Sequence, residues 1–341
     1  MVRVLQTMAG APHGGAEAFF TRLVAALAHA GLEQCAVIRH DAARAEILRQ
    51  AGVPVTETRF GGPLDLRSGP LLGREIARFK PQVVLSWMNR ATAACPPGDY
   101  VHCARLGGYY KLKHYQRCDH LIGNSHGIVD YLNQQGWSAE RTHYLPNFVA
   151  SLSATAVARA EFDTPDNVPL LLALGRLHEN KAFDVLIEAL AALPGAYLWI
   201  AGSGPLADDL AALADRRGVS RRLRMLGWRD DVAALFAAAD VLVCPSRHEP
   251  LGNVVIEAWA QGTPVVAAAT GGPAELIDDG VSGLLAPPDD AAGLVEAIAR
   301  LLADHALGVR LAEAGRGAYE AHFTEAMVVR RYMDFFDKVA A

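Results

Sequence analysis

Short apolar runs alternate with amphipathic segments along this chain, and no other feature of the sequence restricts its fold as much. In the first half, Val2–Thr7, Gln34–Ile38 and Val83–Ser86 have the length and composition of buried strands. Between the first two, Ala16–Ala30 spaces its apolar residues for one face of a helix. Strands that alternate with helices in this way form βα units on a parallel sheet, so we predict an α/β fold.

The alternation is interrupted once, near the middle of the chain. Residues 149–168 are small, polar and proline-containing, as in a linker between domains. A length of 341 residues also suits two domains better than one. We therefore predict two Rossmann-like domains that face a cleft, and a terminal helix that is free to pack back on the first of them. The bounds of these three parts are 1–148, 169–322 and 323–341.

The composition excludes several classes of protein. No uncharged apolar stretch reaches the roughly 20 residues of a membrane-spanning helix, and the first residues lack the pattern of a secretory signal peptide. The cysteines are scattered, without a Cys-x-x-Cys pair. This argues against a disulfide framework or a zinc site and suits a reducing compartment. We therefore expect a cytoplasmic protein.

The charge is distributed unevenly along the chain. The formal net charge is −5, yet residues 1–150 hold 16 Lys and Arg against 11 Asp and Glu, whereas residues 151–341 hold 16 against 26. Two domains with different partners would explain this difference, and so would ordinary drift in composition. No segment has the dense positive charge of a nucleic-acid-binding protein, so nucleic acid is not an expected partner.

The strongest candidate site follows the apolar run that ends at Cys244. A loop there carries Glu249, Gly252 opens a predicted helix, and Glu257 lies inside that helix. Ligands of open α/β sheets bind outside the carboxyl ends of the strands, where this loop must lie. The first amides of the helix would bind an anion, and the two carboxylates would accept hydrogen bonds from hydroxyl groups. The competing interpretation is a helix-start acid and a solvated glutamate. The residues that we assign to binding are Glu249, Leu251, Gly252, Asn253, Val254 and Glu257.

A second candidate group follows the first strand of the second series. Gly175 allows a turn there, and Arg176 and Lys181 precede the next helix. An arginine fork and a lysine point charge suit a diphosphate, although two solvated loop cations would give the same pattern. Gly202, in a Gly-Ser-Gly turn after the next strand, is a weaker signal because such turns are common at helix starts.

A glycine turn also follows the first strand of the chain. Gly14 and Gly15 lie there and open a helix, so that backbone amides could approach an anion. Alone this is a weak signal, since ordinary turns share it. The third glycine of a dinucleotide-binding turn is absent, and Arg39-His40 rather than an acidic residue ends the second strand. These differences argue against NAD as a cofactor.

Together these motifs resemble the family 4 glycosyltransferases, a retaining class with the two-domain GT-B fold, and among them bacterial lipopolysaccharide and polysaccharide glycosyltransferases. The resemblance covers most of residues 170–302 and the first βα unit. The shared positions are Gly175-Arg176, Lys181, Gly202-x-Gly204, Gly227, Pro245-Ser246, Glu249, Glu257, Gly262-x-Pro264, Gly271-Gly272 and Glu275.

The resemblance implies a role for each group of residues. Arg176 and Lys181 would hold the diphosphate of a nucleotide-sugar donor. Glu249 would contact the transferred sugar and Glu257 the ribose. The glycine turn after the first strand would lie over the donor's phosphates, and the glycine pair at 271 and 272 would shape the far wall of the site. No Asp-x-Asp motif occurs, so we expect no obligate metal and no other cofactor.

The family usually places a histidine near the reacting sugar, at the end of a middle strand of the first domain. The position that aligns with it here is Arg105, and His102 lies three residues earlier, inside the strand. Because Arg105 lies at the exit of the strand, we expect it to face the cleft, and we assign it to catalysis. A packed strand histidine is an equally good interpretation of His102, so the choice between the two stays open here. The residues assigned to catalysis are Arg105, Glu249, Arg176 and Lys181.

Residues 105–117 interleave four cations with tyrosines. Such a stretch suits an acceptor that bears phosphates, or an anionic membrane surface. An exposed charged loop would show the same pattern. We therefore expect that the cytoplasmic protein also binds peripherally to the inner face of the cytoplasmic membrane.

The sequence thus predicts a retaining glycosyltransferase of the hexosyltransferase type. It would move a sugar from a nucleoside-diphosphate sugar to a glycan or lipid-linked acceptor, in the synthesis of cell-surface polysaccharide or lipopolysaccharide. Two alternatives stay open: a sugar-nucleotide epimerase on the same fold, and a non-catalytic sugar-nucleotide-binding protein. The paired Glu249 and Glu257 disfavour the second alternative, as do Arg176 and Lys181.

Overall fold

The chain divides into two units in a computed structural model that describes residues 2–12, 14–61, 65–150 and 154–341. Unit 1 comprises residues 1–148 and 325–341, and unit 2 comprises residues 149–324. Each unit contains one β-sheet whose paired strands are parallel.

Unit 1 is built around seven strands with helices between them. The strands are β1 (Arg3–Met8), β2 (Glu33–Arg39), β3 (Val55–Thr58), β4 (Val83–Trp87), β5 (Val101–Leu106), β6 (His120–Gly123) and β7 (Thr142–Tyr144). The helices that connect them are α1 (Gly15–His29), α2 (Ala42–Gln50), α3 (Ser68–Phe79), α4 (Met88–Ala94) and α5 (His126–Gln134). The strand order is β3-β2-β1-β4-β5-β6-β7.

Unit 2 repeats this plan with six strands. They are β8 (Leu170–Leu174), β9 (Tyr197–Ala201), β10 (Leu223–Gly227), β11 (Val241–Cys244), β12 (Val265–Ala268) and β13 (Leu284–Ala286), in the order β10-β9-β8-β11-β12-β13. The helices are α6 (Phe183–Ala191), α7 (Ala207–Arg216), α8 (Val232–Ala238), α9 (Asn253–Gln261), α10 (Gly271–Leu276), α11 (Ala291–Ala303) and α12 (His305–His322). A final helix, α13 (Glu325–Ala340), belongs to unit 1.

The predicted fold class is confirmed, since both halves are parallel α/β units and the terminal helix is present. Three elements that the sequence pattern did not predict are α4, α10 and β13, with seven, six and three residues. Segments this short contain too few residues to show a periodic apolar pattern. Within the described ranges, no helix combines the length and apolarity needed to cross a membrane.

The segment interpreted as a linker packs on unit 2 wherever it is described. The guanidinium of Arg159 donates hydrogen bonds to the carbonyl oxygens of Val168 and Ala238, at 2.8 and 2.7 Å. Trp199 Nε1, in β9, donates to Thr164 Oγ1 at 2.9 Å. These bonds tie residues 159–168 to the body of unit 2, while residues 151–153 of the segment lie outside the described part.

The terminal helix completes the core of unit 1. Val328, Tyr332 and Phe336 of α13 are fully buried. They belong to one apolar cluster with Phe19 of α1 and Trp87 of β4. Burial of apolar surface on this scale attaches the helix firmly to the unit.

The strand orders place two loops of unit 2 next to each other. The sheet reverses its winding between β8 and β11, which are neighbours in space although three helices and two strands separate them in the chain. In parallel α/β sheets ligands bind at the carboxyl ends of strands at such a switch point. The loop after β8 carries Arg176 and Lys181, and the loop after β11 carries Glu249.

Two histidines of unit 1 are held in the neutral form by their surroundings. His102 is buried in β5, where its Nε2 and Ser86 Oγ share a hydrogen bond of 2.9 Å, and burial lowers the pKa of His102 to about 4. His143 Nε2 lies 3.0 Å from His120 Nδ1, and its ring meets Phe335 of α13 edge-on. Burial, and then the charges of His120 and Lys338, lower the pKa of His143 to about 4.

We expect acid to destabilise unit 1 through these histidines. An unfolded histidine titrates near pH 6.5, so between about pH 6.5 and 4 the unfolded state binds more protons than the folded state, and the free energy of unfolding falls as the pH falls. The loss between pH 7 and 5 is roughly 2–4 kcal/mol for the two groups together. Urea unfolding followed by circular dichroism at both pH values measures it.

The double variant His102→Gln/His143→Gln should lose most of this pH dependence, whatever its stability at pH 7. His305→Gln, on the exposed start of α12, is the control and should behave as the wild type. A double variant with the wild-type pH dependence would contradict the assignment.

Candidate active site

The loop between β11 and α9 brings a carboxylate to the start of a helix. Gly252 precedes α9 with φ of 85°, a conformation that glycine adopts without strain. Its amide donates to Glu249 Oε1 at 3.4 Å, and the side chain of Glu249 is only 14% exposed. The amides of Asn253 and Val254 follow at the positive end of the helix. Glu249 thus lies next to the start of α9, at the edge of the sheet where ligands bind.

An ion pair joins this loop to the loop after β8. Lys181 Nζ donates a hydrogen bond to Glu249 Oε2, and the Lys181 side chain is 21% exposed. Burial is the largest single influence on the pKa of Lys181 and would lower it, but the charge and the hydrogen bond of Glu249, together with smaller contributions from Cys244 and Glu257, raise the pKa above its ordinary value. The structure thus brings together Lys181, Glu249 and Glu257, which the sequence predicted as parts of one site.

Close approach between turns holds the loop after β8 in place. A Cβ at Gly202 would lie 1.8 Å from the carbonyl oxygen of Gly175, and one at Gly204 would lie 2.4 Å from that of Leu177. Gly202 and Gly204 are therefore required by packing, because any larger residue would push the two loops apart. Arg176 is exposed on this loop, and in the described part of the chain no hydrogen bond or ion pair engages its guanidinium. Its donors are available to a ligand.

The glycine pair that begins α10 packs against the Glu249 loop. Gly272 N donates to the carbonyl oxygen of Glu249 at 2.7 Å, and a Cβ at Gly272 would lie 2.1 Å from the carbonyl of Leu251. At Gly271 a Cβ would lie 2.6 Å from the Glu249 oxygen, and φ is 38°. These two positions admit only glycine because the backbone of another segment occupies the space of a side chain.

Arg247 is a residue of this region that the sequence did not single out. Its Nη1 and Nη2 donate to the two carboxylate oxygens of Asp184 at 2.9 and 2.6 Å, and Nη1 also donates to the carbonyl oxygen of Glu179 at 3.0 Å. Its Nε donates to Asp289. Although burial opposes it, the hydrogen bond from Arg247 lowers the pKa of Asp184. Arg247 thus fastens the Glu249 loop to the segment that carries Lys181. In the sequence it resembles any solvated loop cation.

The turn between β1 and α1 has a packing role of its own. Gly14 and Gly15 are both exposed. A Cβ at Gly14 would lie 2.2 Å from Glu17 Oε2, whereas one at Gly15 would meet nothing within 4 Å. Glu17 is 6% exposed and accepts a hydrogen bond from the amide of Ala11 at 2.8 Å. Gly14 thus makes room for a buried carboxylate, and a contact with phosphates stays a prediction. His13, in the same motif, lies outside the described residues.

Arg105 is not the exposed group that the sequence predicted. It is 3% exposed, and its guanidinium lies over the rings of Phe19 and Trp87, whose centroids are 4.8 and 4.6 Å from Cζ. Nε donates to the Tyr332 hydroxyl at 2.9 Å, and Nη2 donates to Asn147. Arg105 is buried because α13 covers the end of β5. This helix is distant from β5 in the sequence, so no local pattern around Arg105 predicts the contact.

The basic stretch after β5 contains both exposed and buried side chains. Lys111, Lys113 and Arg117 are exposed, and Tyr109 is 41% exposed. Tyr115, in contrast, is fully buried, and its hydroxyl donates to Asn89 Oδ1 at 2.8 Å. The cations therefore remain available to a partner, whereas one of the tyrosines serves the core.

Comparison with known proteins agrees with this geometry. A family model described as "Glycosyl transferases group 1" matches residues 168–304. The lipopolysaccharide core biosynthesis glycosyltransferase LpsE of Rhizobium meliloti (strain 1021) is 40% identical over 326 residues, 94% of this chain and 95% of its own. LpsD of the same strain is 32% identical over 333 residues, 96% of each chain.

A solved structure shows the same fold. The structure of Anabaena Alr3699/HepE in complex with UDP and glucose superimposes with a TM-score of 0.83 at 21% identity, and the match covers 99% of this chain and 100% of the other.

We expect Arg247→Ala to loosen both loops of the site. Without the two hydrogen bonds to Asp184, amide hydrogen exchange should become faster in segments 175–182 and 245–252. The free energy of unfolding should fall by only about 1 kcal/mol, because Arg247 and Asp184 are both partly exposed. Exchange measured by mass spectrometry tests this. Arg229→Ala, which breaks a forked pair with Asp231 elsewhere in unit 2, is the control. Unchanged exchange in both segments of Arg247→Ala would show that Arg247 does not hold the loops.

Proposed function

The chain belongs to the group 1 glycosyltransferases, and on that premise we propose that it transfers a sugar from a nucleoside-diphosphate sugar to an acceptor of the lipopolysaccharide core, with retention of configuration at the anomeric carbon. The similarity to LpsE over 94% of the chain supports the acceptor class. The observation that carries the proposal is the ion pair of Lys181 and Glu249 at the start of α9, the helix that also carries Glu257.

We propose that this cluster binds the donor. Arg176 and Lys181 would neutralise the diphosphate together with the first amides of α9. Glu249 already accepts hydrogen bonds from Lys181 and Gly252, and its remaining acceptor capacity suits hydroxyl groups of the transferred sugar. Glu257 lies near enough to Lys181 to raise its pKa slightly, and it would accept hydrogen bonds from the ribose hydroxyls.

The proposed reaction uses the leaving group as the base. Glu249 is engaged by Lys181 and by the helix start, so its carboxylate is suited to binding and not to attack on the sugar. As the bond between C1 and the phosphate oxygen breaks, the acceptor oxygen bonds to C1 on the same face and gives its proton to the departing phosphate. The cations and helix amides stabilise the negative charge that develops on the diphosphate.

This role needs no metal ion, and we propose that the reaction is metal-independent. Cationic side chains and helix amides supply the positive charge that a metal would otherwise supply. Among the residues that the structure describes, no group of three His, Cys, Asp or Glu side chains forms a cluster suited to a metal. Transfer should therefore persist in EDTA. Activity abolished by EDTA and restored by Mg²⁺ or Mn²⁺ would contradict this.

Transfer itself is tested with a panel of UDP-, GDP- and ADP-sugars and a lipopolysaccharide core acceptor. We expect release of nucleoside diphosphate together with a glycosylated acceptor. Arg176→Ala/Lys181→Ala should reduce transfer by about a hundredfold or more, because two cations that face the leaving group are lost. Arg221→Ala/Arg310→Ala removes two exposed cations elsewhere in unit 2 and should keep full activity.

The same panel separates the alternatives. A changed sugar without release of nucleotide would indicate an epimerase, and binding without any turnover would indicate a sugar-nucleotide-binding protein. Either result would overturn the proposed transfer.

We also propose that the protein associates with the inner face of the cytoplasmic membrane through Lys111, Lys113 and Arg117, which are exposed beside Tyr109. Each cation near an anionic surface contributes about 1 kcal/mol. Lys111→Glu/Lys113→Glu should therefore weaken co-sedimentation with phosphatidylglycerol vesicles by about tenfold or more, and high salt should do the same. Arg74→Glu/Lys80→Glu, an equal charge change at exposed positions of unit 1, is the control. Equal binding by both double variants would remove the membrane proposal.

A further inference from the structure

The sheet of unit 1 also reverses its winding, between its neighbouring strands β1 and β4. The segments that follow these two strands are the turn before α1 and the helix α4. We call the described residues of this turn, 9–12 and 14, the β1 turn. Because ligands of parallel sheets bind at the carboxyl ends of strands at such a point, the conformation of the β1 turn affects what unit 1 can bind.

Two arginines from other elements hold the backbone of the β1 turn. Arg44, in α2, is 6% exposed, and its Nη2 donates to the carbonyl oxygens of Ala11 and Pro12 at 3.0 and 3.4 Å. Arg90, in α4, donates through Nη2 to the carbonyl oxygen of Ala9 at 2.9 Å. Hydrogen bonds from a charged donor are roughly twice as strong as those between neutral groups. The turn is therefore fixed by α2 and α4 as well as by its own neighbours in the chain.

Glu17, in the first turn of α1, holds the same backbone by an amide. Its Oε1 accepts a hydrogen bond from Ala11 N at 2.8 Å, so Glu17 binds the amide of Ala11 while Arg44 binds its carbonyl. The two glycines beside it make room for this buried carboxylate. A Cβ at Gly10 would lie 2.5 Å from Glu17 Cγ, and one at Gly14 would lie 2.2 Å from Oε2. Ala11 therefore cannot rotate without breaking a hydrogen bond to a charged side chain.

The Arg44 guanidinium is itself held in place. Its Nη2 lies 3.0 Å from Asp41 Oδ2, and Asp41 Oδ1 accepts from the amide of Arg44 at the start of α2. The other arginine near the end of α2, Arg49, is 47% exposed and pairs only loosely with Glu57, at 3.4 Å. Arg44 is thus a buried, charge-compensated donor whose hydrogen bonds beyond its own helix go to the β1 turn.

Strained backbone surrounds the β1 turn. Phe60, which follows β3, has φ of 44°, and Met88, the first residue of α4, has φ of 65°. Arg90 Nη1 donates to the carbonyl oxygen of Phe60 at 3.3 Å, so this arginine joins the segment after β3 to the β1 turn. A positive φ is unfavourable for residues with large side chains and persists where neighbouring contacts enforce it, often at functional sites. This edge of unit 1 is therefore held in one conformation before a ligand binds.

We propose that Arg44 is a positioning residue of the transfer reaction, which together with Glu17 fixes the β1 turn in the conformation that binds the donor. The proposal rests on the proposed function, which supplies the donor. Gly14 has no side chain that could cap α1, so the first amides of this helix suit the negative charge of a diphosphate. A turn fixed in advance loses little conformational freedom on binding, so loosening it should weaken donor binding and spare the bond-forming step.

Four substitutions separate positioning from mere stability. Arg44→Met keeps the apolar stem and removes the donors to the turn, and Glu17→Ala removes the acceptor for Ala11. Glu17→Gln is the conservative variant because its amide oxygen can still accept from Ala11. Arg49→Met is the matched control, since it removes an arginine of the same helix that does not contact the turn.

The first measurement is amide hydrogen exchange of the free protein, read in segment 9–18 by mass spectrometry. Exchange there should be faster in Arg44→Met and Glu17→Ala than in the wild type. It should stay near the wild-type rate in Glu17→Gln and in Arg49→Met. Wild-type exchange in Arg44→Met would show that Arg44 does not hold the turn and would overturn the proposal.

The second measurement separates KM from kcat. Arg44→Met and Glu17→Ala should raise the KM for the donor by about tenfold, whereas kcat and the KM for the acceptor should stay near their wild-type values. Glu17→Gln should restore most of the donor affinity. A purely structural role would lower kcat with the folded fraction and leave the KM for the donor unchanged, and that result would overturn the proposal.

A binding measurement distinguishes this proposal from the proposed function. UDP-, GDP- and ADP-sugars are compared for the rise that each produces in the thermal midpoint. The nucleotide sugar that stabilises the wild type should stabilise Arg44→Met less than Arg49→Met, whether or not the chain transfers the sugar. Binding without transfer would contradict the proposed function alone. Equal stabilisation of the two variants would overturn the role of Arg44 alone.

Discussion

Both sheets are parallel in all their described pairings, and this one constraint brings every loop that follows a strand to the same edge of its sheet. In unit 2 it makes neighbours of the loops after β8 and β11, which are far apart in the chain. The ion pair between Lys181 and Glu249 is a consequence of that strand order. In unit 1 the same constraint brings Arg105, at the end of β5, beside Asn124, after β6.

Contact between loop backbones then determines how accurately the groups of unit 2 are placed. Gly202 lies against Gly175, and Gly272 lies against Leu251, at distances that leave no room for a side chain. The loops that carry Lys181 and Glu249 are therefore supported from behind by backbone and not by flexible side chains. Arg247 also links these two loops, through two hydrogen bonds to the carboxylate of Asp184. A site supported in this way can present charge to a ligand without rearranging, which is the condition for effective electrostatic stabilisation.

Lys181 and Arg105 are both shielded from solvent, and their charges are compensated differently. Lys181 has Glu249 as a direct partner and keeps its charge, as its raised pKa shows. Arg105, in contrast, contacts the aromatic faces of Phe19 and Trp87 and donates to the neutral hydroxyl of Tyr332, and no ion pair with it occurs among the described residues. Lys181 and Arg105 both lie at the edge of a sheet, but only Lys181 belongs to a recognisable sequence motif. A lone arginine at a strand end gives no local sign of whether a helix from the far end of the chain will cover it.

The sequence by itself determined the α/β class, most strands and helices, and the site motifs of unit 2, because apolar periodicity and glycine turns are local properties of the chain. It also predicted that Lys181, Glu249 and Glu257 belong to one site, and the structure pairs the first two. Only the tertiary structure decided that Arg105 is buried beneath α13 and that Arg247 fastens two loops. Burial and pairing depend on contacts between segments that are distant in the chain, and no local pattern records such contacts.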